Sequence, residues 1–586
     1  MRQWMVAAKK ADFYAIAEKF HVDPVVARII RNREVIGEKN IRIYLGGNLS
    51  DLSDPHQMKD MDRLVEILAQ KIRKQVHIRI IGDYDVDGVT SSHLFLTALR
   101  RVGAKVDVVI PHRIQDGYGL SLHLLQQAKE DGVDTILTCD NGIAAIDEIA
   151  WAKAQKMTVL VTDHHAVPFE EHEGRRTEKK SLADAVVNPH QQDCGYPYKE
   201  LCGAGVAWNV IRVLYENYDM DKREAEDLLD FVAMATVCDV MSLTGENRIL
   251  VKEGLKRIRH TKNIGLQALM QACNVPPENI SAYHFGYVLG PCVNATGRLD
   301  TARHALRLFE TGQETEAEEI ARDLVDLNQE RKELTLQGVE MAKKLCEEGG
   351  YENDPVLVLF LPDVHESIAG LIAGRIREMY NRPVFVLTRG EEGVKGSGRS
   401  TENYSMYENM CGCAELFTKF GGHPMAAGLS LPEENVEKFR RKINENCPLT
   451  VEEVCPDIHI DMAMPVGYAS TELVHQFALL EPFGKDNPSP LFADRNLSIS
   501  RMWLIGKNRN VLRMSVLSEY GQPVPVIFFG DVEMLFAYFT EKFGQKEVEN
   551  ALHGRKNRIL FSMVYTAKID FYQGNENLQL EMKYYR

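Results

Sequence analysis

Apolar positions change their period several times along the chain, and each change marks an element. In the first ~70 residues, segments 11–17 and 62–68 place apolar side chains three and four apart, the spacing of amphipathic helices. This predicts a helical N-terminal extension over 1–70. From Val76 the pattern becomes short apolar runs, at 76–81, 106–110, 135–138 and 158–161, separated by helical stretches such as the one that follows Gly88. Such alternation predicts a parallel sheet covered by helices on both faces.

Between Ala302 and Gly349 the chain is rich in Glu, Ala, Leu, Arg and Lys, has no proline, and carries an apolar stripe through Ile320, Leu324, Leu327, Leu334 and Val339. One long helix joining two lobes is expected there. A second α/β unit starts at Pro355, with strands at 356–361 and 383–387 around a helix at 367–379. After Val454 short alternating strands predominate, at 497–499, 511–516, 524–529 and 558–564. They predict a small β-barrel. The charged stretch 175–180 reads as an exposed loop. The expected architecture is therefore multidomain α/β: a helical extension at 1–70, a parallel-sheet domain at 71–300, a connecting helix at 301–350, a second α/β domain at 351–454 and a barrel at 455–586.

Acids cluster where these runs stop. Asp83, Asp85 and Asp87 follow the 76–81 run, Asp140 follows 135–138, Asp163-His164-His165 follows 158–161, and Asp239 follows Val237-Cys238. If the backbone stays extended to Asp87, the period of two puts Asp83, Asp85 and Asp87 on one side. Ligands of open parallel sheets bind beyond the carboxyl ends of the strands, so acids distant in sequence converge there. Carboxylates that close repel one another, and divalent cations would hold them together. Oxygen donors with one or two imidazoles favour manganese or magnesium over a thiolate zinc site. A lone acid after a strand is ordinarily a turn residue or a helix N-cap, but the triple Asp and the Asp-His-His are poorly explained that way.

The net charge of −15 speaks at first against nucleic acid. Its distribution changes that picture: residues 455–586 hold 14 Lys and Arg against 15 Asp and Glu. Within this near-neutral tail, Arg501, Lys507, Arg509 and Arg513 cluster around Trp503 with no intervening acid, a composition suited to stacking bases and pairing phosphates of a single strand. The eleven cysteines show no framework of paired spacings, so reduced thiols are expected. No window has eighteen uninterrupted apolar residues and no signal-peptide h-region precedes the first helix, so a cytoplasmic chain without a membrane span is expected.

Asp85-x-Asp87-Gly88, Asp140, Asp163-His164-His165 and Asp239 together resemble the DHH phosphoesterase superfamily. The match extends to Pro111-His112-Arg113, Asn188-Pro189-His190, the segment Gly203 to Trp208, Asn294-Ala295-Thr296-Gly297-Arg298, the run from Gly396 to Ser400, and Gly421-Gly422-His423-Pro424. The closest branch is the RecJ group of bacterial single-strand-specific exonucleases. The resemblance implies a DHH catalytic domain, a DHH-associated substrate-binding domain and an OB-fold. It implies two manganese or magnesium ions held by Asp85, Asp87, Asp140, His164 and Asp239, with Asp87 and Asp140 shared and Asp83 as an extra ligand. Many superfamily relatives carry a ligating His where this chain has Ile81, so Asp83 or water must complete the first site.

The same resemblance gives catalytic roles to His165, at the scissile phosphate, and Asp163, orienting an imidazole. It places Arg113, Asn188, Arg298, Ser397, Arg399, Gly422 and His423 at the substrate, with a 5′ phosphate anchored by the arginines. The implied activity is 5′-to-3′ exonuclease action on single-stranded DNA in repair and recombination, by a monomer assisted by a helicase and a single-strand-binding protein. The alternatives are a phosphodiesterase for oligoribonucleotides or cyclic dinucleotides, which the extra ~130 residues oppose, and a catalytically dead scaffold, which the intact acids oppose.

Overall fold

A computed structural model describes residues 3–113, 116–117, 119–172, 175–390, 393–506, 510–572 and 574–586. The chain forms two compact units, Asn48–Pro456 and Gln3–Gly47 with Asp457–Arg586.

The first unit is built on a five-stranded sheet in the order Val106–Val109, Ile78–Ile81, Thr135–Cys139, Thr158–Thr162, Ala185–Val187, all parallel. Alternate side chains enter different cores: Ile78, Ile80, Leu137, Cys139 and Leu160 pack on one face, and Ile81, Ile136, Val159 and Val161 on the other. Burial on both faces is why these strands read as apolar runs rather than as alternating patterns.

The expected single helix from Ala302 is two, Ala302–Glu310 and Glu314–Glu348, broken at Thr311-Gly312-Gln313. Thr311 is extended, with ψ at 139°, which ends the first helix despite its favourable composition. The 35-residue second helix does span two cores. Its Ile320 and Leu324 pack with the first sheet's helices, and its Val339 and Ala342 with the second lobe. That lobe is a five-stranded sheet ordered Lys419–His423, Ala426–Leu431, Gly393–Arg399, Val384–Gly390, Leu357–Phe360, antiparallel except for the last pair. The expected charged loop is instead an antiparallel hairpin, Phe169–His172 with Arg175–Glu178.

The second unit is a barrel. Strands Phe492–Ile505, Val511–Leu517, Pro523–Phe528, Asn575–Tyr585 and Leu560–Tyr572 are neighbours in that order, and the last pairs back onto the first. The third and fourth in this circle run parallel and the rest antiparallel, and the helix Val532–Phe543 covers the core between them in sequence. This is OB-fold topology. The helices Phe13–Phe20, Pro24–Asn32 and Glu38–Gly46 belong here, because Val26, Ile29, Ile30 and Tyr44 pack in the same core as Met502, Met514 and Phe561. Arg33 fixes them with a buried ion pair to Asp461 at 2.7 Å. The expected extension over 1–70 is thus divided: residues up to Gly47 join the barrel, and those from Asn48 join the first unit. No helix among the described residues is long and apolar enough to cross a membrane.

Candidate metal centre and substrate cleft

In chain order the strands of the first sheet lie 2-1-3-4-5, so connections leave the first and third strands in opposite directions and a crevice opens between their carboxyl ends. Asp83, Asp85 and Asp87 follow the first strand and Asp140 the third. The three acids meet there by a turn rather than by an extended run. The helix Val86–Arg101 begins at once, Asp85 caps it by accepting from the Gly88 N–H at 3.0 Å, and Asp87 lies in its first turn. Gly88 is required for this, since a Cβ there would sit 2.4 Å from the Asp83 carbonyl oxygen. Asp140 adopts the left-handed conformation, φ 62°. Its neighbour Asn141 ties the third strand to the first by donating to the carbonyls of Ile81 and Cys139 at 3.0 and 2.9 Å.

Asp239 was expected at a strand end. It instead follows the helix Leu229–Cys238. Nine residues of that helix's run are apolar or small and most are buried, so burial all round erases the helical period.

These segments bring the six predicted ligands and His165 into three groups, within each of which the donor atoms lie within 4.8 Å of one another: Asp83, Asp85 and Asp140; Asp87, His164 and Asp239; and Asp140, His164 and His165. His164 Nε2 lies 3.0 Å from Asp140 Oδ1 and 3.6 Å from both Asp87 Oδ2 and Asp239 Oδ2. Asp87 is oriented by the N-terminus of the helix Gly203–Asn217, whose Gly203 and Ala204 N–H groups donate to its two oxygens at 2.6 and 2.7 Å. These two donors were not expected from the sequence; the signal was the small-residue start Gly203-Ala204-Gly205. Ile81, in the place of the missing histidine, is wholly buried in the apolar core, and it is Asp83 that joins Asp85 and Asp140.

The electrostatics are those of a cation site. Burial first, and the neighbouring carboxylates second, hold Asp83, Asp85 and Asp140 above the usual carboxylate range. Asp83 Oδ1 and His164 Nε2 are buried with no hydrogen-bond partner among the described residues. Hard carboxylate oxygens with one imidazole, partly unsatisfied and mutually repelling, fit a divalent ion of the manganese or magnesium type.

Asp163 stands apart from the cluster. Its Oδ1 accepts from the N–H groups of His164 and His165 at 2.7 and 3.0 Å and from His165 Nδ1 at 2.7 Å, and its Oδ2 accepts from the Ile143 N–H at 2.9 Å. Burial opposes ionisation of Asp163, but these bonds and the histidine charges outweigh it and its carboxyl titrates below the usual range. For His165, burial is outweighed by the Asp163 bond, which pushes it up to about 9.

Asn188, expected at the substrate, is fully buried and turned into the protein. Its Nδ2 donates to the His165 carbonyl at 2.9 Å and its Oδ1 accepts from the His190 N–H at 2.8 Å, so it braces the Asp-His-His turn.

Of the remaining predicted contacts, all but Arg399 line two hollows that share Arg113. A pocket of about 220 Å³ beside Asp83 and Asp85 is walled by Tyr84, Arg113, Asn294 and Arg298. Arg113 lies over the Tyr84 ring, 4.8 Å from its centroid. Arg298 donates to the Ser367 carbonyl of the second lobe at 2.7 Å. Burial, then repulsion from Arg113, Arg331 and Arg399, lowers Arg298 to about 10, and burial with Arg377 and Arg113 lowers Arg399. Three guanidinium groups crowded this way have the charge and donor geometry to hold a polyanion.

The larger cleft, about 800 Å³, runs from Arg113 and His165 to Ser397, Gly422 and His423. The glycine-rich segments here are strands. In Gly393–Arg399 the period of two puts Lys395, Ser397 and Arg399 on one face, while Gly396 and Gly398 face the core, where a Cβ would meet Leu387 at 2.4 Å and Met406 at 2.3 Å. Gly422 and His423 lie on the sheet's edge strand. Lys395 and Glu366 form an ion pair at 2.9 Å on the cleft wall.

In the barrel, Trp503 is opposite Arg513 on adjacent strands, and Arg501 and Arg513 lie 5.6 and 6.0 Å from its ring centroid. Lys507 and Arg509, expected in this patch, lie outside the described residues.

Residues 77–236 match the DHH family N-terminal domain, residues 353–447 the DHHA1 domain and residues 460–584 the RecJ OB domain. The single-stranded-DNA-specific exonuclease RecJ of Haemophilus influenzae is 32% identical over 581 residues, covering 96% of each chain. The chain belongs to the RecJ family. The RecJ of Bacillus subtilis is 33% identical over 512 residues, which cover 87% of this chain and 63% of that protein, so the chain spans less than two thirds of that relative. A crystal structure of RecJ in complex with Mn2+ from Thermus thermophilus superposes with a TM-score of 0.81 at 25% identity, covering all of this chain and 79% of the other.

Proposed function

We propose that this chain is a divalent-metal-dependent exonuclease that degrades single-stranded DNA from its 5′ end to mononucleotides. The observation that carries the reading is the contiguity, within one unit, of a buried carboxylate cluster and an arginine-lined cleft. Two ions fit the donor groups, one held by Asp83, Asp85 and Asp140, the other by Asp87, His164 and Asp239. Bound there, divalent ions supply Lewis acidity and lower the pKa of a water.

The chain's own residues do the rest. Arg113, Arg298 and Arg399 with Ser397 hold the terminal 5′ phosphate, which sets the end that is attacked. His165, oriented by its hydrogen bond to Asp163, contacts the scissile phosphate. His423 and the Gly422 main chain take the next phosphate along the cleft. Arg501, Trp503 and Arg513 of the barrel, with Lys507 and Arg509, hold the trailing strand by stacking and charge. An enzyme confined to single strands depends on a helicase and a single-strand-binding protein to supply them; the chain acts as a monomer, in the cytoplasm, in repair and recombination.

The test is a 5′-phosphorylated oligonucleotide offered single-stranded or as a blunt duplex with Mn2+. Mononucleotides are expected from the strand, none from the duplex, and none from either with Asp140→Ala. A strand left intact by the unaltered chain refutes the proposal.

A further inference from the structure

One aromatic feature of the catalytic unit has no part in the site described. Tyr283 and Tyr287 stack on each other, ring centroids 5.1 Å apart at 23°, and both are exposed, 62% and 71%. Tyrosines four residues apart on a helix are neighbours, but here the segment Phe285–Leu289 is a π-helical turn, a widening found frequently at functional sites.

The segment is anchored on one side to the metal centre. The Phe285 carbonyl accepts from the Cys238 thiol at 3.3 Å, next to Asp239, and a Cβ on Gly290 would lie 2.3 Å from that sulfur. On the other side it runs directly into the helix Gly290–Leu299, which carries Asn294 and Arg298 to the pocket beside Asp83 and Asp85. Seven residues separate Tyr287 from Asn294, about 10 Å along a helix. That distance corresponds to two or three nucleotides of stacked strand at about 3.4 Å each.

We propose that Tyr283 and Tyr287 form a base-stacking platform in the catalytic unit, which takes nucleobases two to three positions from the phosphate held in that pocket. The proposal rests on the exonuclease reading above and adds a source of single-strand selectivity: the ring faces are offered to bases that a duplex keeps paired and stacked. Parallel, solvent-facing rings suit the flat face of any base, so the contact is indifferent to sequence.

The experiment moves a single abasic residue, one position at a time, along a 5′-phosphorylated single strand and measures KM and kcat for mononucleotide release. For the unaltered chain, an abasic residue at one or two adjacent positions near the 5′ end raises KM about tenfold, and elsewhere in that region does not. In Y283A/Y287A the KM for the intact strand rises at least tenfold and the positional dependence disappears. In Y283F/Y287F, which keeps both rings, the dependence returns. A flat abasic profile in the unaltered chain, or an unchanged profile in Y283A/Y287A, overturns the platform. Failure of the unaltered chain to release any mononucleotide overturns the exonuclease reading instead.

Discussion

A single methyl group at Gly203 should disable the metal centre while leaving the fold in place. A Cβ there would lie 2.6 Å from Asp140 Cβ and 2.8 Å from its Oδ1, whereas ordinary contact begins near 3.4 Å. The same residue's N–H donates to Asp87 Oδ2 at 2.6 Å. Gly203→Ala must therefore separate the helix start from Asp140 by about 0.8 Å, and the displacement is shared with Asp87. Misplacement of reacting groups by about 1 Å costs about 100-fold in rate. Overpacking costs about 1–3 kcal/mol, and the higher helix propensity of Ala offsets up to about 1 kcal/mol of that. The expected result is a kcat/KM on single-stranded DNA lowered by about 100-fold, weaker Mn2+ binding by calorimetry, and a net destabilisation of about 0–2 kcal/mol. Gly205→Ala is the control two residues on. Its Cβ would meet nothing closer than Leu201 at 3.4 Å, so activity should stay within threefold and stability should not fall. Equal activity and equal Mn2+ affinity in the two variants would refute the claim that Gly203 sets the spacing of the acids.

His93 is buried against Phe231 and Phe309, and burial, with help from Arg100, pushes it down to about 3 from an ordinary 6.5. The unfolded chain takes up its proton first as pH falls, so stability is full above pH 6.5 and declines toward pH 3; by pH 5 the loss is about 2 kcal/mol. His93→Phe should remove that part of the slope in urea titrations at pH 5 and 7, and an unaltered slope would show that another group carries it. Arg298→Lys cannot both reach the Ser367 carbonyl and grip a phosphate bidentately. It should raise KM about tenfold or more for 5′-phosphorylated strands and much less for 5′-hydroxyl strands; equal effects on the two would remove Arg298 from the 5′ phosphate. Deleting 457–586 alone strands Val26, Ile29 and Ile30 without their core, so that protein should aggregate. Deleting 3–47 as well should restore a monodisperse catalytic unit on a sizing column; the opposite ranking would show that the N-terminal helices fold without the barrel.

The strands of the first sheet were legible because burial on both faces leaves short uninterrupted apolar runs, and the acids were legible because they sit where those runs end. Asp239 was placed after the wrong element for a related reason: a helix buried all round shows no period, and its apolar run resembles a strand. The glycines of Gly393–Arg399 are small because Leu387, Leu429, Met406 and Phe385 press on the strand from behind. Asn188 belongs to a conspicuous motif, and only the direction of its amide distinguishes a substrate contact from a brace. The docking of the N-terminal helices on the barrel joins Arg33 to Asp461 across more than 400 positions. No local spacing encodes such a pairing.

Each half of the centre is strained by its own charge, and the strains are opposite. Burial and like charge make Asp83, Asp85 and Asp140 resist ionisation, while the partly buried Arg298 and Arg399 hold their protons less tightly than usual. The two halves share a boundary, since Arg113 and Arg298 wall the same pocket as Asp83 and Asp85. Among the described residues Arg298 donates to the Ser367 carbonyl and Arg399 to the Gly398 carbonyl. A cation alone would relieve the acids and add to the repulsion among the arginines; a phosphate alone would do the reverse. A divalent ion with a phosphate relieves both, so binding of each must favour the other by the same factor. On the proposed reading a polynucleotide end would present one phosphate to the arginines and the next toward the carboxylates, and this arrangement of charge would favour such an end over a lone cation or a lone phosphate.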